Sequence, residues 1–518
     1  MPLAKFRVAL QACAVAATAA ASLIASAASA ELRLPHLFSD HAVLQRDRPL
    51  HVWGWATPGT RVEIRLAGHD TAAEADRLGR WDAWLAPMPA GGPYVLTVDG
   101  GSAEGARTIS DVMLGEVWLA SGQSNMEMPL QGFPPTALVR NAAAEIAAAA
   151  NPRIRLLRLE HRSSAYPLHD IDQTWTLSTP QTAAAFSAIG YFFAREIAAR
   201  EHVTVGVIDS AWGGTPADPW VSLDGLSADP ALLPAFVARA HLIDDEADKD
   251  AIVRAEHRED ELARSRGVQP PDHDWRPPEE SWRPAALYNA MIAPLTGYGL
   301  KGVIWYQGET NSKPDRAPYY EALFKGLITD WRHDFAQGDF PFLFAQISSF
   351  DSPREEWGLV RDAQRRALEL RNTAIAVTTD VGDPNNVHPS DKQTVAARLA
   401  LAARAVAYGE PVAYAPPLFR QVTGAPGGLR VWFDHADGLN AKGARLSGFE
   451  IAGRDHRYVP AAAIIDHNTV VVTGPVEEPT YVRFNWSNVA GGELYNASGL
   501  PAPTFTSEQR IRSHLAFP

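Results

Sequence analysis

The residues whose types and spacing could do chemistry are a serine and a histidine that each follow a predicted strand. Ser124 comes after the apolar run 117–120, and His388 lies in the loop after the run 374–378. A serine hydroxyl becomes an effective nucleophile when a base removes its proton, and histidine is the commonest such base. In open α/β sheets, ligands bind beyond the carboxyl ends of the strands. The two residues therefore predict a nucleophile and its base at one edge of a sheet.

Each of these residues also has a purely structural interpretation. Ser124 could be a turn or helix-capping serine, and Met126 stands where the nucleophile elbow of α/β-hydrolases has its second glycine. His388 could be a surface or hydrogen-bonded structural group. Among the 16 histidines, however, it alone follows the last predicted strand in a loop that offers an acid. That position favours the catalytic interpretation of His388.

Two further strand ends could supply donors for a negatively charged oxygen. The run 203–208 leads into a turn with Gly213 and Gly214, where backbone N–H groups can approach a ligand closely, although an ordinary Gly-Gly turn is the alternative. The run 302–306 leads into polar side chains that we expect at the same edge, namely Gln307, Glu309 and Asn311. An asparagine amide can donate to a developing oxyanion.

Composition is typical of a soluble globular protein of more than one domain. The chain has 518 residues, of which 46% are hydrophobic and 21% charged, and its formal net charge is −13. A net negative charge does not favour the binding of nucleic acid or anionic lipid. The sequence has no His-x-x-x-His or comparable ligand cluster, so we predict neither a metal site nor an organic cofactor.

The first thirty residues resemble an export signal. Lys5 and Arg7 precede an Ala-rich apolar run that ends in small residues, which predicts a signal peptide cleaved after about Ala30 and no stable membrane anchor. The single cysteine, Cys13, falls inside this segment. We therefore expect a periplasmic or secreted protein whose mature chain has neither disulfides nor a catalytic cysteine.

The alternation of elements predicts an α/β fold. Five short apolar runs have strand length, at 117–120, 203–208, 302–306, 340–347 and 374–378. Helical patterns lie between or after them, at 183–200, 319–331, 360–370 and 392–408. Nearly continuous apolar strands that alternate with helices indicate a parallel sheet covered on both faces.

The patterning also predicts where the domains divide. After the signal peptide at 1–30, short alternating runs predict an N-terminal β-sandwich domain at 31–109. The α/β catalytic domain is expected at 110–410, with a charged and then Pro/Trp-rich helical insertion at about 231–283. Alternating runs return in a C-terminal β domain at 411–518.

Four strand ends, in order, carry Gly-Gln-Ser-Asn-Met, Trp-Gly-Gly-Thr, Trp-Tyr-Gln-Gly-Glu-Thr-Asn and Asn-Val-His-Pro. This combination resembles the four blocks of SGNH hydrolases, and within them the sialate O-acetylesterase-like group, which is related to esterases of acetylated xyloglucan and xylan. The resemblance spans nearly the whole mature chain. It implies a flavodoxin-like α/β/α sandwich with a parallel five-stranded sheet, flanked by β-sandwich domains, and a serine esterase that removes acetyl groups from carbohydrate.

The resemblance also implies a role for each matching residue. Ser124 would be the nucleophile and His388 the general base, and no cofactor would be needed. The oxyanion hole would combine the Ser124 N–H with Gly213 or Gly214 and with Asn311. We expect the neighbouring polar side chains to contact the substrate, namely Asn125, Gln307 and Glu309.

The acid of the site departs from the SGNH pattern, which often has Asp three residues before the histidine. Here that position is Asn385, and the nearest preceding carboxylate is Asp383. Either Asp383 reaches around Pro384 to orient the imidazole, or the site is a Ser-His dyad supported by a carbonyl or amide. Of these two arrangements, we favour the one with Asp383.

Two rival functions differ in class. The 15 tryptophans and the predicted β domains would also suit a non-catalytic carbohydrate-binding protein, and a general short-chain or lipase-like esterase is the second rival. Even for a sugar esterase, the residues leave open whether the substrate is an acetylated hemicellulose or 9-O-acetylated sialic acid. Oligomeric state is likewise open.

Overall fold

A computed structural model describes residues 32–240, 242–268, 270, 279–442 and 445–509. The chain divides into two compact units. The first contains the chain up to Pro35, together with His51–Ala86 and Val95–Ile109. The second contains His36–Leu50, Pro87–Tyr94 and the chain from Ser110 onward. The predicted signal peptide lies outside the described residues. Among the described helices, none is both long enough and apolar enough to cross a membrane.

The strands within the described residues are Val43–Gln45 (β1), Leu50–Trp55 (β2), Arg61–Leu66 (β3), His69–Glu74 (β4), Arg80–Leu85 (β5), Gly91–Asp99 (β6), Ala106–Gly122 (β7), Asn151–Arg158 (β8), Thr176–Ser178 (β9), Val205–Ala211 (β10), Gly302–Tyr306 (β11), Phe342–Ala345 (β12), Thr373–Ala376 (β13), Leu418–Ala425 (β14), Gly428–Asp434 (β15), Phe449–Ala452 (β16), Val459–Pro460 (β17), Ala462–Asp466 (β18), Thr469–Thr473 (β19), Tyr481–Phe484 (β20) and Phe505–Thr506 (β21). The α-helices are Ser124–Glu127 (α1), Ala142–Ala147 (α2), Pro180–Ala184 (α3), Ala188–Glu201 (α4), Leu223–Ser227 (α5), Leu233–Ala240 (α6), Leu242–Ser265 (α7), Tyr320–Phe335 (α8), Trp357–Arg366 (α9) and Lys392–Val406 (α10).

A parallel sheet forms the centre of the second unit. Its strands lie in the order β13-β12-β11-β7-β10-β8, and β9 pairs antiparallel with β8 at one edge. The five strands predicted from apolar runs are all present and parallel. The sheet also contains β8, which was not predicted from the sequence, so the expected count of five parallel strands was too low. Arginines at three positions of Asn151–Arg158 interrupt its apolar run, although the backbone of the strand is paired within the sheet.

The register of the three central strands places their carboxyl ends side by side. Gly122 at the end of β7 pairs with Ala211 of β10 on one side and with Tyr306 of β11 on the other. The segments that leave these strands therefore begin at the same level of one sheet edge. This edge is where the predicted nucleophile, glycine turn and polar loop originate.

Helices follow the strands as the helical patterns predict. The pattern at 183–200 becomes α3 and α4, and the patterns at 319–331, 360–370 and 392–408 become α8, α9 and α10. Helix α10 packs against α4 and β13, whereas α8 packs against α9. Helix α10 begins with Asp391 as its cap, since the Asp391 carboxylate accepts the N–H of Thr394. This start fixes the end of the loop that carries His388.

The remaining parts of the chain form β structure and a helical segment. After the α/β region, β14-β15-β19-β18 and β17-β16-β20-β21 form two sheets whose inner apolar side chains share one core. In the first unit, β3 pairs antiparallel with β4 and β6, and β2 pairs with β5. Helices α6 and α7 occupy the predicted insertion, and its residues 271–278 lie outside the described residues.

Candidate active site

Ser124 lies on a tight turn that a glycine makes possible. Gly122 has φ +138°, and a Cβ on it would overlap the carbonyl oxygen of Tyr306. The next residue, Gln123, donates its backbone N–H to that same carbonyl at 2.9 Å. The chain then enters the single turn of α1 at Ser124. A side chain at Gly122 would separate the ends of β7 and β11 and move Ser124 away from the sheet edge.

The structure brings the predicted nucleophile and base into contact. His388 Nε2 lies 2.9 Å from Ser124 Oγ, a hydrogen-bond distance between residues 264 positions apart. The His388 ring also meets Phe133 edge to face, with centroids 5.4 Å apart. Its backbone N–H donates to Asn386 Oδ1 at 2.9 Å. These contacts aim the imidazole at the hydroxyl from which it would take a proton.

Burial keeps His388 neutral. Burial, which is the largest influence, and the nearby Lys392 ammonium together lower the pKa of His388 to about 4, although Glu127 acts in the opposite direction. A neutral imidazole can accept the Ser124 proton, and a protonated one cannot. His388 is therefore in its basic form throughout the neutral range.

The carboxylate of Asp383, the favoured acid, is engaged in a local turn. Its carboxylate accepts the backbone N–H of Asn385 at 2.9 Å in a local turn. Among the described residues, no hydrogen bond joins Asp383 with His388, and the charges that influence the imidazole are those of Lys392 and Glu127. The physical reason is that the Asp383 carboxylate folds onto its own turn. The geometry favours the alternative of a Ser-His dyad held by amide and ring contacts.

The glycine turn lies beside Ser124, but one of its donors is occupied. A Cβ on Gly213 would lie 3.2 Å from Ser124 Cβ, which places this turn at the nucleophile. The Gly213 N–H donates to Glu127 Oε2 at 2.5 Å. The other oxygen of Glu127 lies 2.9 Å from His161 Nε2, and the His161 ring stacks on Trp212 at 4.4 Å.

The backbone N–H groups of Ser124 and Gly214 differ from that of Gly213. No described residue accepts the N–H of Ser124 or that of Gly214. Gly214 has φ +70°, a conformation suited to glycine. Of the two glycines that the sequence left as alternatives, Gly214 has an N–H that no described residue accepts, and Gly213 lies beside Ser124.

Asn311 and Gln307 form hydrogen bonds with the backbone that directly follows the glycine turn. Asn311 Oδ1 accepts the N–H of Ala217 at 2.8 Å and the side-chain amide of Gln307 at 2.7 Å, and Asn311 Nδ2 lies 3.4 Å from Asp218 Oδ2. Gln307 also donates to the carbonyl of Thr215 at 3.3 Å. Asn311 and Gln307 are both fully buried. Their described hydrogen bonds are internal, so their direct contact with oxyanion or substrate stays a prediction.

Asn125 and Glu309, also predicted to touch substrate, form a buried network with Lys392. Asn125 Nδ2 donates to Glu309 Oε1 at 2.6 Å and to the carbonyl of Val387 at 2.9 Å, and Lys392 Nζ donates to Asn125 Oδ1. Asn125 and Lys392 are 0% exposed and Glu309 is 6% exposed. Burial lowers the pKa of Lys392 to about 7 and raises the pKa of Glu309, while each opposes the change in the other.

Sequence reasoning missed Glu127, His161 and Lys392 at this site. Glu127 follows Ser124 by three residues, so its position on the same turn was a usable signal. His161 follows β8, the strand that was itself not predicted. Lys392 begins the helical pattern after His388, but charged residues at helix starts are normally solvated and gave no hint of burial. In the described parts of the chain, no group of three or more His, Asp or Glu could hold a metal ion.

Comparisons with known proteins point to one kind of enzyme. Residues 273–406 match the family model described as carbohydrate esterase, sialic acid-specific acetylesterase. The chain is 29% identical to the sialate O-acetylesterase of Mus musculus over 94% of this chain and 96% of that protein. It is 31% identical to the sialate O-acetylesterase of Homo sapiens over 69% of this chain and 68% of that protein. Among solved structures, a carbohydrate acetylesterase from Xanthomonas citri is 34% identical, with TM-score 0.79 and coverage of 92% of this chain and 100% of that one.

These similarities define the class of protein as a carboxylic ester hydrolase, an O-acetylesterase of carbohydrates. The chain belongs to the sialate O-acetylesterase family of carbohydrate esterases. The activity expected from the four sequence blocks is thereby confirmed, and the rival of a non-catalytic binding protein is set aside. A sugar is accordingly the partner of the site.

Proposed function

We propose that this protein releases acetate from acetylated neutral sugars of hemicellulose, with Ser124 as nucleophile and His388 as general base. The observation that carries this proposal is the 2.9 Å contact between Ser124 Oγ and His388 Nε2 at the carboxyl edge of the sheet. A short-chain ester is the substrate chemistry that a serine and a neutral histidine can hydrolyse without a metal.

In the first half-reaction, His388 Nε2 takes the proton of Ser124 as Oγ bonds to the acetyl carbonyl carbon. The carbonyl oxygen becomes an oxyanion in a tetrahedral intermediate. When this intermediate collapses, the bond to the sugar oxygen breaks and His388 returns the proton to that oxygen. The sugar leaves with a free hydroxyl, and the acetyl group remains on Ser124.

In the second half-reaction, His388 removes a proton from water, which attacks the acetyl-enzyme. Collapse of the second intermediate releases acetate and returns the proton to Ser124 Oγ. Because the pKa of His388 is lowered to about 4, the imidazole is available as a base at the start of both halves.

The oxyanion needs donors that are in place before the charge develops. In our proposal these are the N–H groups of Ser124 and Gly214, and that of Gly213 once the Glu127 carboxylate moves aside. Asn311 contributes by holding the turn, since its Oδ1 accepts the N–H of Ala217 just beyond the glycines. This assignment gives Asn311 a positioning role, and its direct donation to the oxyanion stays a prediction.

The charges beside the site support a neutral sugar. His161, which pairs with Glu127, is one of the residues that line a hollow, together with Glu160, Arg162 and Asp172. This lining has two carboxylates and one guanidinium, and Arg162 Nη1 pairs with Asp172 Oδ2 at 2.9 Å, so its charges do not favour the carboxylate of a sialic acid. A neutral acetylated sugar has no charged group that these residues would have to pair.

The finer fold and the location of the enzyme belong to the same proposal. The parallel sheet with the nucleophile after β7 and the base after β13 supports an SGNH-type α/β/α sandwich with accessory β domains. A periplasmic or secreted location, predicted from the first thirty residues, would bring the enzyme to polymeric hemicellulose.

The test is a substrate panel with the purified protein. Acetate release would be measured from acetylated xyloglucan, acetylated xylan and 9-O-acetylated sialic acid, together with an acyl-length series of chromogenic esters. We expect release from the hemicelluloses and a preference for acetyl over longer chains. Release from the sialic acid alone would refute the neutral-sugar proposal while leaving the esterase class intact.

A further inference from the structure

Lys392 is an unusual residue for the start of a helix. It stands at the first position of α10, yet its side chain is 0% exposed. A lysine is almost never fully buried unless it is paired, because removing an ammonium from water is costly. It stands four residues after His388, at the start of the helix that follows the catalytic loop.

The side chains of Asn125 and Glu309 form a hydrogen-bonded bridge that ends at the Lys392 ammonium. Lys392 Nζ donates to Asn125 Oδ1, and Asn125 Nδ2 donates in turn to Glu309 Oε1 at 2.6 Å. Asn125 is the residue after Ser124, and Glu309 follows β11. The bridge therefore joins three chain segments that leave the sheet or enter a helix at the site edge.

The same bridge also holds the histidine loop. Asn125 Nδ2 donates to the carbonyl of Val387 at 2.9 Å, and Val387 is the residue before His388. One amide side chain therefore fixes the spacing between the backbone of the nucleophile turn and the backbone of the base. Without the ammonium, Asn125 Oδ1 would lose the donor that the structure gives it, and the contacts of Asn125 Nδ2 with Glu309 and Val387 would be less firmly held.

We propose that Lys392 is a positioning residue of the esterase site, which holds Asn125 so that His388 stays aligned with Ser124. This inference rests on the proposed roles of Ser124 and His388. Asn125 and Glu309 are then internal parts of this device rather than substrate ligands.

The charge of Lys392 also acts on His388, beside the other described groups that contact or influence the imidazole. Lys392 approaches from α10, Glu127 and Ser124 from α1, and Phe133 from the loop that covers the ring. Lys392 lowers the pKa of His388 and Glu127 raises it. Removal of the ammonium should therefore move the acid limb of kcat/KM to higher pH.

The experiment compares Lys392→Met, which removes both charge and donor, with Lys392→Gln, which keeps a donor for Asn125. Lys325→Met is the matched control, since Lys325 is a partly buried lysine of α8 that pairs with Glu321 and Glu369 and not with residues of the site. Acetate release would be measured from pH 3.5 to 8, with melting temperatures for all three variants.

We expect Lys392→Met to lower kcat at least about tenfold with KM within about threefold, because alignment rather than binding is lost. Both Lys392 variants should shift the acid limb upward by roughly half a pH unit or more, and the control should not. Wild-type kinetics and an unmoved acid limb in a folded Lys392→Met would overturn the proposal. If Lys392→Met does not fold, an unmoved acid limb in Lys392→Gln would overturn the proposal instead. Loss of acetate release in Ser124→Ala tests the proposed function separately from these outcomes.

Discussion

Glu127 Oε2 lies 2.5 Å from the backbone nitrogen of Gly213 and so occupies a donor that an oxyanion beside Ser124 would use. Glu127 is itself held by His161, whose ring stacks on Trp212. The carboxylate therefore links the nucleophile turn, the glycine turn and the loop after β8. It also raises the pKa of His388, so its charge acts on the base as well as on the oxyanion donors.

Glu127→Gln should move the acid limb of kcat/KM to lower pH. The substitution removes a negative charge that raises the pKa of His388, so the imidazole loses its proton at still lower pH. The glutamine oxygen can still accept the Gly213 N–H, which limits other changes. The measurement is a pH profile of acetate release, with Glu145→Gln as control because Glu145 pairs with Arg195 instead. A shift to higher pH would contradict the assignment.

The wild-type enzyme should stay active in mildly acidic solution. Protonated His388 cannot accept the Ser124 proton, and its pKa is lowered to about 4, so kcat/KM should be flat from neutral pH down to about pH 5. Below about pH 4 it should fall roughly tenfold per unit. A profile with its acid midpoint near the ordinary histidine value of about 6.5 would show that burial does not control the base.

Asp383→Asn should leave kcat within about threefold of wild type, because no described hydrogen bond joins Asp383 with His388. Asn386→Ala should lower kcat more, since Asn386 Oδ1 accepts the His388 N–H and its Nδ2 donates to the carbonyl of Thr136. Steady-state kinetics of the two variants on one acetyl ester make the comparison. A loss of about a hundredfold or more in Asp383→Asn would restore the Ser-His-Asp triad.

Gly122→Ala should destabilise the second unit and abolish activity. The residue has φ +138°, and a Cβ would overlap the Tyr306 carbonyl oxygen, so strain and overlap act together. We expect a loss of more than about 3 kcal/mol in the free energy of unfolding. Gly424→Ala is the control, because nothing lies within 4 Å of its added Cβ. Equal melting temperatures for the two variants would contradict this account of the turn.

Strands and their ends were predictable because a short, continuous apolar run between helical patterns is typical of a strand buried on both faces. The runs that became β7, β10, β11, β12 and β13 placed Ser124, the glycine turn and His388 at one edge of the sheet. β8 escaped prediction because residues such as Arg153 and Arg155 break its pattern. Arg155 is nevertheless buried and lies near Asp111, a long-range pairing that local sequence does not reveal.

The details of the site depended on contacts between distant segments. Asp383 was a reasonable acid by sequence distance, but the direction of its carboxylate is set by the turn that it caps. Lys392, Asn125 and Glu309 looked like solvated or substrate-facing groups because polar residues usually are. Their burial follows from three strand and helix ends that meet only in the folded chain.

The central claim is that Ser124, activated by His388, carries out the hydrolysis. The direct measurement is acetate release from acetylated xyloglucan by the wild type, Ser124→Ala and His388→Ala, each verified as folded by its melting temperature. We predict turnover by the wild type and a loss of at least about a thousandfold in both variants. Substantial acetate release by folded Ser124→Ala would contradict the account.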